Sequence, residues 1–405
     1  MSGPLKGINV LSFGRVLAGP YTAMLLADLG ADVIKIETGK DGDMARHNGP
    51  FINDLSSYFL SVNRGKKSFS LNIRHEKGVD ILKRLIRGMD ILIENFRPGV
   101  MKKMGLDYED AKELNPRLIY VSVSGFGQSG PYSSKTAFDM VAQGMGGTVS
   151  ITGEPGRPPV RVGYSIGDMG AALFAVTATL AALYERTGSG IGQHIDVAMM
   201  DSQVALCENA CARYMATGQI PKPIGARHPL VTPFQVFPTK TDDMVVVAFT
   251  DEQWGKMCEA VGRKDLANDV RYHSMRARNE NHAELESTLS EVFRTLPRDE
   301  WLSRFEEFDV IGGPVNNIEQ VVNDPHVKAR DMVLEVAHDR LGKLKVVGTP
   351  MKFSRTPCEI TNASPDLGRH TEEILAEKLG MSQDEIGELR EEGIINSRQP
   401  GSKGG

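Results

Sequence analysis

Ile8-Asn-Val-Leu-Ser-Phe13, then Tyr21-Thr-Ala-Met-Leu-Leu-Ala-Asp-Leu29 closed by Gly30, then Asp32-Val-Ile-Lys-Ile-Glu37 are the three runs that decide the fold. The first and third are short apolar runs that read as buried strands, and the middle one reads as an apolar helix ended by glycine. Strand, helix and strand at this spacing make a βαβ unit, whose strands pair in parallel through a right-handed crossover. The alternation continues with a strand at Ser68–Ile73, a helix at Lys77–Gly88, a strand at Asp90–Glu94, helical turns at Val100–Met104 and Tyr108–Leu114, and a strand at Leu118–Ser124. Such a pattern predicts an α/β protein built on a doubly wound, Rossmann-like sheet.

Beyond these elements the text reads as an apolar helix over Met169–Tyr184, a strand over His194–Ala198 and a long helix over Met200–Thr217. Gly218 to Pro233 is rich in Gly, Pro and basic residues, which marks a linker. A strand at Met244–Phe249 and helices at Glu252–Val261, Asn281–Thr295 and Arg298–Phe305 then suggest a smaller α+β lobe. The expected organisation is a large domain over residues 1–217, a linker and small domain over 218–324, and a return segment over 325–405 that completes the large domain. The polar, Gly-rich stretch 397–405 is expected to be disordered.

The chain has 405 residues, 40% apolar and 24% charged, with a net charge of -5. No basic arm or stripe stands out, so nucleic acid is not the expected partner. No export signal is visible, and Met169–Tyr184 is too short and too interrupted by Thr to suit a bilayer. The four cysteines form no Cys-x-x-Cys pair. A reduced, cytoplasmic protein without a metal or membrane is the expectation. Gly125-Phe-Gly-Gln-Ser-Gly130 matches a dinucleotide fingerprint, but Pro131-Tyr-Ser-Ser follows in place of a helix face. No acid-ended strand comes at the right distance either, so the glycines read as a shaped loop.

The chemistry centres on Asp168, in Val162-Gly-Tyr-Ser-Ile-Gly-Asp-Met-Gly-Ala171, where a polar loop enters the apolar helix. By itself it could be an N-cap, since Asp is a preferred one. As a catalytic carboxylate it would be kept ionised by the helix N-terminus. The loop Phe13-Gly-Arg-Val-Leu-Ala-Gly-Pro20 feeds the first helix, and its N–H groups could receive an anion or a thioester oxygen.

In order along the chain stand Ala18-Gly-Pro, Leu29-Gly-Ala-Asp-Val-Ile-Lys-Ile-Glu, Asn63-Arg-Gly-Lys-Lys-Ser, Glu94-Asn-Phe-Arg-Pro-Gly and Ser124-Gly-Phe-Gly. They are followed by Gly167-Asp-Met-Gly, Gly192-Gln-His-Ile-Asp-Val-Ala-Met, Asn323-Asp-Pro-His-Val and Pro365-Asp-Leu-Gly-Arg-His-Thr. Through these segments the chain resembles the family III (CaiB/BaiF-type) coenzyme A transferases, the group that includes the formyl-CoA:oxalate and carnitine CoA-transferases. The resemblance implies an interlocked homodimer acting on an acyl-CoA and a free carboxylic acid, with CoA esters as substrates and no resident cofactor.

It also implies that Asp168 is the covalent nucleophile, passing through a mixed anhydride and an aspartyl-CoA thioester. CoA contacts are implied at Leu17 and Ala18, at Leu71, Asn72, Ile73 and Arg74, and at Asn95, Phe96 and Arg97. Lys103, Lys135, Thr136, Ala137 and Phe138 complete that set, and backbone groups near Leu17 and Ala18 would stabilise the oxyanion.

Three departures separate the chain from the oxalate-using members. Leu17 stands in place of a glutamine, Thr38 in place of a basic residue near the adenine, and no Gly-rich loop lies between Val231 and Trp254. Two alternatives share the fold: an α-methylacyl-CoA racemase, or a non-catalytic CoA-binding relative. Against the racemase, Ala137-Phe138-Asp139 has Phe where that branch carries a catalytic His.

Overall fold

The computed structural model describes residues 3–396, so the 397–405 tail lies outside the described residues. The described residues divide into two units, one of residues 3–148, 162–218 and 328–396, the other of 149–161 and 219–327. The segment 149–161, which the sequence reading placed in the large domain, therefore belongs to the second unit. Its text, Gly153-Glu-Pro-Gly-Arg-Pro-Pro-Val-Arg161, is rich in Gly, Pro and Arg, as is the linker after Gly218.

The first unit is built on six parallel strands: β1 (Asn9–Ser12), β2 (Asp32–Glu37), β3 (Lys66–Ser70), β4 (Ile91–Glu94), β5 (Ile119–Ser124) and β6 (His194–Ala198). Their order across the sheet is β3-β2-β1-β4-β5-β6. The chain starts in the middle, builds outward in one direction, then returns past β1 and builds the other way. Both faces are covered, because successive side chains point to opposite sides. Leu11, Ile34, Phe69, Leu92 and Tyr120 pack with helix Glu76–Ile86 and with Ile374, Leu375 and Ile386 of the C-terminal helices. Val10, Val33, Ile93 and Val121 pack on the other face with α1 (Ala18–Asp28) and α2 (Ile166–Ser189). The return segment is locked in at its end, where the Asn72 N–H donates to the Ile394 carbonyl at 2.8 Å.

Several elements differ from the sequence reading. The helix read as Met169–Tyr184 is α2, which runs for 24 residues, because Thr187-Gly-Ser189 continues it until Gly190 adopts φ +74°. By length and composition α2 could cross a membrane, yet 44% of its apolar window is buried, and α1, β5 and β6 pack against it. It is the core helix of the sheet unit. The long helix read as Met200–Thr217 is two, Met199–Leu206 and Glu208–Thr217, broken at Cys207. Val333–His338 pairs with Gly342–Val347 in an antiparallel hairpin that the mixed polar text did not announce.

The second unit has a three-stranded antiparallel sheet, with Asp243–Val247 between Phe234–Pro238 and Ile311–Pro314. Ile311–Pro314 is thus its edge strand, which the glycines at 312 and 313 did not announce as a strand. Trp254, Phe293, Trp301 and Phe305 form the core beneath it. Arg278 is fully buried there and its guanidinium donates to the Thr232 and Tyr272 carbonyls and to Asp251.

Candidate active site

Parallel strands end together, and the loops leaving their C-terminal ends form the crevice in which α/β proteins bind ligands. Four such loops carry the expected site residues. Leu17 and Ala18 follow β1, Leu71 to Arg74 follow β3, and Asn95 to Arg97 follow β4. Lys135 to Phe138 lie in the connection after β5. The N-terminus of α2 comes to the same edge, because that helix must run back to the opposite edge to enter β6.

Asp168 is the third residue of α2, so it is not the N-cap; Ser165 holds that position without a side-chain cap bond. The work of a cap is done from a distance. Asp139 is buried, accepts the Gly167 N–H at 2.8 Å through Oδ1, and accepts the Gln143 amide at 2.7 Å through Oδ2. Asp168 is therefore released from capping, and the Ala18 N–H faces its carboxylate and favours the charged form.

Burial pushes the Asp168 carboxyl up to about 7; the nearby Asp139 charge adds to this, and the Ala18 N–H opposes it. This corrects the expectation that the helix N-terminus keeps Asp168 fully ionised at neutral pH. Removal from water and a like charge outweigh the favourable backbone dipoles. Asp139→Asn should therefore move the acid limb of kcat to lower pH: the amide oxygen can still accept from Gly167, while the repelling charge is gone. A kcat profile over pH 5 to 9 in both proteins checks this; an unmoved or higher limb contradicts it.

Tyr58 was not anticipated. Burial pushes its hydroxyl up to about 12, with the charges of Asp168, Asp43 and Asp139 adding, which places it among these three acids as a neutral O–H donor. It lies on the short helix Ser57–Val62, whose sequence carries no catalytic signature. Leu17, Tyr21, Tyr58 and Met169 line a cavity of about 340 Å³ that also reaches the buried Arg64–Asp28 ion pair.

The remaining expected residues differ in how they are used. The Asn95 side chain is committed to the β1 loop, accepting the Arg15 N–H at 2.8 Å and donating to the Arg15 carbonyl at 2.9 Å. The Phe96 N–H donates to Glu94 at 2.8 Å, and burial pushes that carboxyl up to about 7. Leu71 and Ile73 are buried, whereas Arg74, Arg97 and Lys103 are exposed. Ala137 lies against Gly125, Phe138 is exposed, and Lys135 sits 4.0 Å from the centre of the Tyr132 ring. Lys103, Lys135 and Thr136 are not drawn into the Asp168 cluster by any bond to it.

Arg15 is the second unanticipated residue. Its guanidinium lies 5.1 Å from the centre of the Phe96 ring and donates to the Thr38 hydroxyl at 2.7 Å. Burial lowers its pKa, the Asp43 charge opposes this and the Arg74 charge adds to it. Thr38, noted in the sequence for lacking a positive charge, thus binds one. Among the described residues no group of three or more His, Cys, Asp or Glu is placed to hold a metal ion.

Comparison with known proteins places the chain in a family. The profile of CoA-transferase family III matches residues 5–371. Human succinyl-CoA:glutarate CoA-transferase is 38% identical over 397 residues, covering 98% of this chain and 91% of that protein. The acetyl-CoA:oxalate CoA-transferase of Acetobacter aceti is 38% identical over 353 residues, covering 87% of this chain and 90% of that protein. Among solved structures, a CaiB/BaiF family protein from Brucella suis is similar with a TM-score of 0.84 and 37% identity, over 93% of this chain and all, 100%, of that one. A protein from Mycobacterium tuberculosis gives a TM-score of 0.82 and 30% identity, over 92% of this chain and 99% of that one.

Proposed function

The chain belongs to CoA-transferase family III, and from that premise we propose that it moves CoA from an acyl-CoA to a free carboxylic acid through covalent intermediates on Asp168. The observation that carries this reading is a carboxyl group in the first turn of α2 that caps nothing, because Asp139 takes the Gly167 N–H, and that the Ala18 N–H faces. A carboxylate is a weak nucleophile. Raising its proton affinity strengthens it, while a value near 7 still leaves much of it ionised at neutral pH.

The steps balance as follows. A carboxylate oxygen of Asp168 attacks the thioester carbonyl and CoA leaves as thiolate, giving a mixed anhydride. The thiolate attacks the aspartyl carbonyl and releases the donor acid, giving the aspartyl-CoA thioester. The acceptor carboxylate attacks that carbonyl and expels thiolate again, and thiolate attack on the acceptor's acyl carbon forms the new CoA ester and frees Asp168. In the second and third steps the negative charge develops on Asp168's own carbonyl oxygen. The Ala18 N–H faces that carboxyl, and the Tyr58 hydroxyl is the second available donor.

We read the first unit as Rossmann-like, with CoA along the crevice at the strand ends. Arg15, held by Thr38 and neighbouring Arg74, supplies the cation that position 38 itself lacks, suited to a CoA phosphate. The cavity beside Leu17 and Met169 is assigned to the acyl group, its apolar wall favouring carbon over a second carboxylate. The exposed apolar residues Leu173, Phe174 and Tyr184 of α2 support a homodimer, which the family resemblance makes an interlocked one. No resident cofactor or metal enters these steps, and a cytoplasmic location remains part of the proposal.

Exchange of labelled succinate or acetate into CoA esters, followed by mass spectrometry over a panel of acyl-CoAs and acids, tests the function. Transfer between acids is expected, with no deuterium entering a 2-methylacyl-CoA from deuterated water. Rapid deuterium entry without transfer would make Asp168 a base in a racemase.

A further inference from the structure

Between β1 and α1 the backbone passes through Val16 at φ +63°, the left-handed region, which a β-branched side chain enters only under constraint. The next residue, Leu17, has φ -133° and ψ -65°, and Ala18 follows with its N–H turned to Asp168. The constraint on Val16 has a visible source. Asp43 Oδ1 accepts the Val16 N–H at 3.1 Å and the Ala45 N–H at 3.0 Å.

The other oxygen, Oδ2, pairs with Lys35 Nζ at 2.7 Å, and both side chains are 1% exposed. Lys35 makes a second bond, to the Gly14 carbonyl at 2.6 Å. Burial by itself would raise the Asp43 carboxyl; Lys35 and the two backbone donors hold it below the usual carboxylate range. Three successive residues are thus tied to side chains from a neighbouring strand and from the loops that follow strands: Gly14 to Lys35, Arg15 to Asn95, and Val16 to Asp43. Lys35 is among the largest fully buried side chains, and a buried lysine in a strand is costly unless its charge is used.

We propose that Asp43, backed by Lys35, is a positioning residue for the reaction: it holds Val16 in the left-handed conformation that aims the Ala18 N–H at Asp168. The inference rests on the aspartyl mechanism proposed above. Asp43 touches no reacting atom; its effect is carried by three residues of backbone. The strain at Val16 persists because the surroundings over-determine it, as strained turns at functional sites do.

The test removes the pair together with Lys35→Met/Asp43→Ala, so that no buried charge is left alone. Val16 N–H then loses its acceptor. The expected result is a fall in kcat of about a hundredfold with little change in KM for the acyl-CoA. The acid limb of kcat should also rise, since the Ala18 N–H that draws Asp168 down is displaced while Asp139 and Tyr58 still face it. Adding Val16→Gly to this background should recover about tenfold or more, because glycine adopts the left-handed conformation unaided.

An unchanged kcat in the double variant overturns the proposal. So does a fall in kcat with an unmoved acid limb and no recovery by glycine, which would make the pair merely structural. Should the double variant not fold, Val16→Pro in the natural background decides: its ring fixes φ near about -65° and removes the N–H, so a folded, fully active protein refutes the inference. Failure of the aspartyl mechanism itself would be seen separately, as no CoA adduct on Asp168 in the natural protein.

Discussion

Asp168→Ala is expected to lower CoA transfer by about four orders of magnitude or more while leaving the protein folded. The size follows from the covalent route: without the carboxylate no anhydride forms, and direct attack of one acid on another's thioester within the crevice has no means of holding CoA between the two halves. Structural damage should be slight. Asp168 is not the cap of α2, and Asp139 continues to accept the Gly167 N–H. Removing a partly buried carboxylate that faces Asp139 also relieves repulsion. Label exchange and a thermal melt on the same sample separate the two effects. Near-normal turnover by a folded variant would end the nucleophile assignment.

Gly14→Ala is expected to cost about a hundredfold in kcat, although Gly14 touches no substrate. An added Cβ would lie 2.7 Å from the Gly19 carbonyl carbon and 2.8 Å from the Pro20 nitrogen, both backbone atoms of the first turn of α1. Real Cβ atoms do not approach so closely, so either the loop or the helix start must move. Ala18 lies between the two, and its N–H moves with them. The effect should fall on kcat more than on KM, because the displaced donor serves the later steps at the Asp168 carbonyl. A variant with wild-type kcat and a stable fold would show that the donor's position is not critical.

Much of the architecture was readable because it rests on local pattern. Val10-Leu11 and Val33-Ile34 are buried on both faces, which produces continuous apolar runs in place of alternation. The βαβ spacing then leaves few topologies. Asp168 was singled out by its glycine neighbours and the segments around it. What escaped depends on contacts between residues far apart in the chain. Asp43 reaches Val16 across 27 positions, and Asn95 reaches Arg15 across 80. Lys35 in an apolar strand looks like an ordinary edge charge until its burial is known. Tyr58 carries no local mark, and the raised Asp168 carboxyl depends on Asp139, which the text offered only as the neighbour of a missing histidine. The excursion of 149–161 into the second unit is marked by Gly153-Glu-Pro-Gly-Arg-Pro-Pro159, but a Gly- and Pro-rich stretch says only that the regular elements stop, not which unit it packs with.

The central claim is the covalent aspartyl-CoA, and trapping tests it most directly. The protein incubated with an acyl-CoA and then treated with borohydride or hydroxylamine is digested and its peptides are mapped by mass spectrometry. The predicted result is modification at Asp168, as the reduced residue or the hydroxamate, dependent on the acyl-CoA and absent from Asp168→Ala. Active turnover with Asp168 unmodified under every trapping condition, or modification at another residue, would contradict the account.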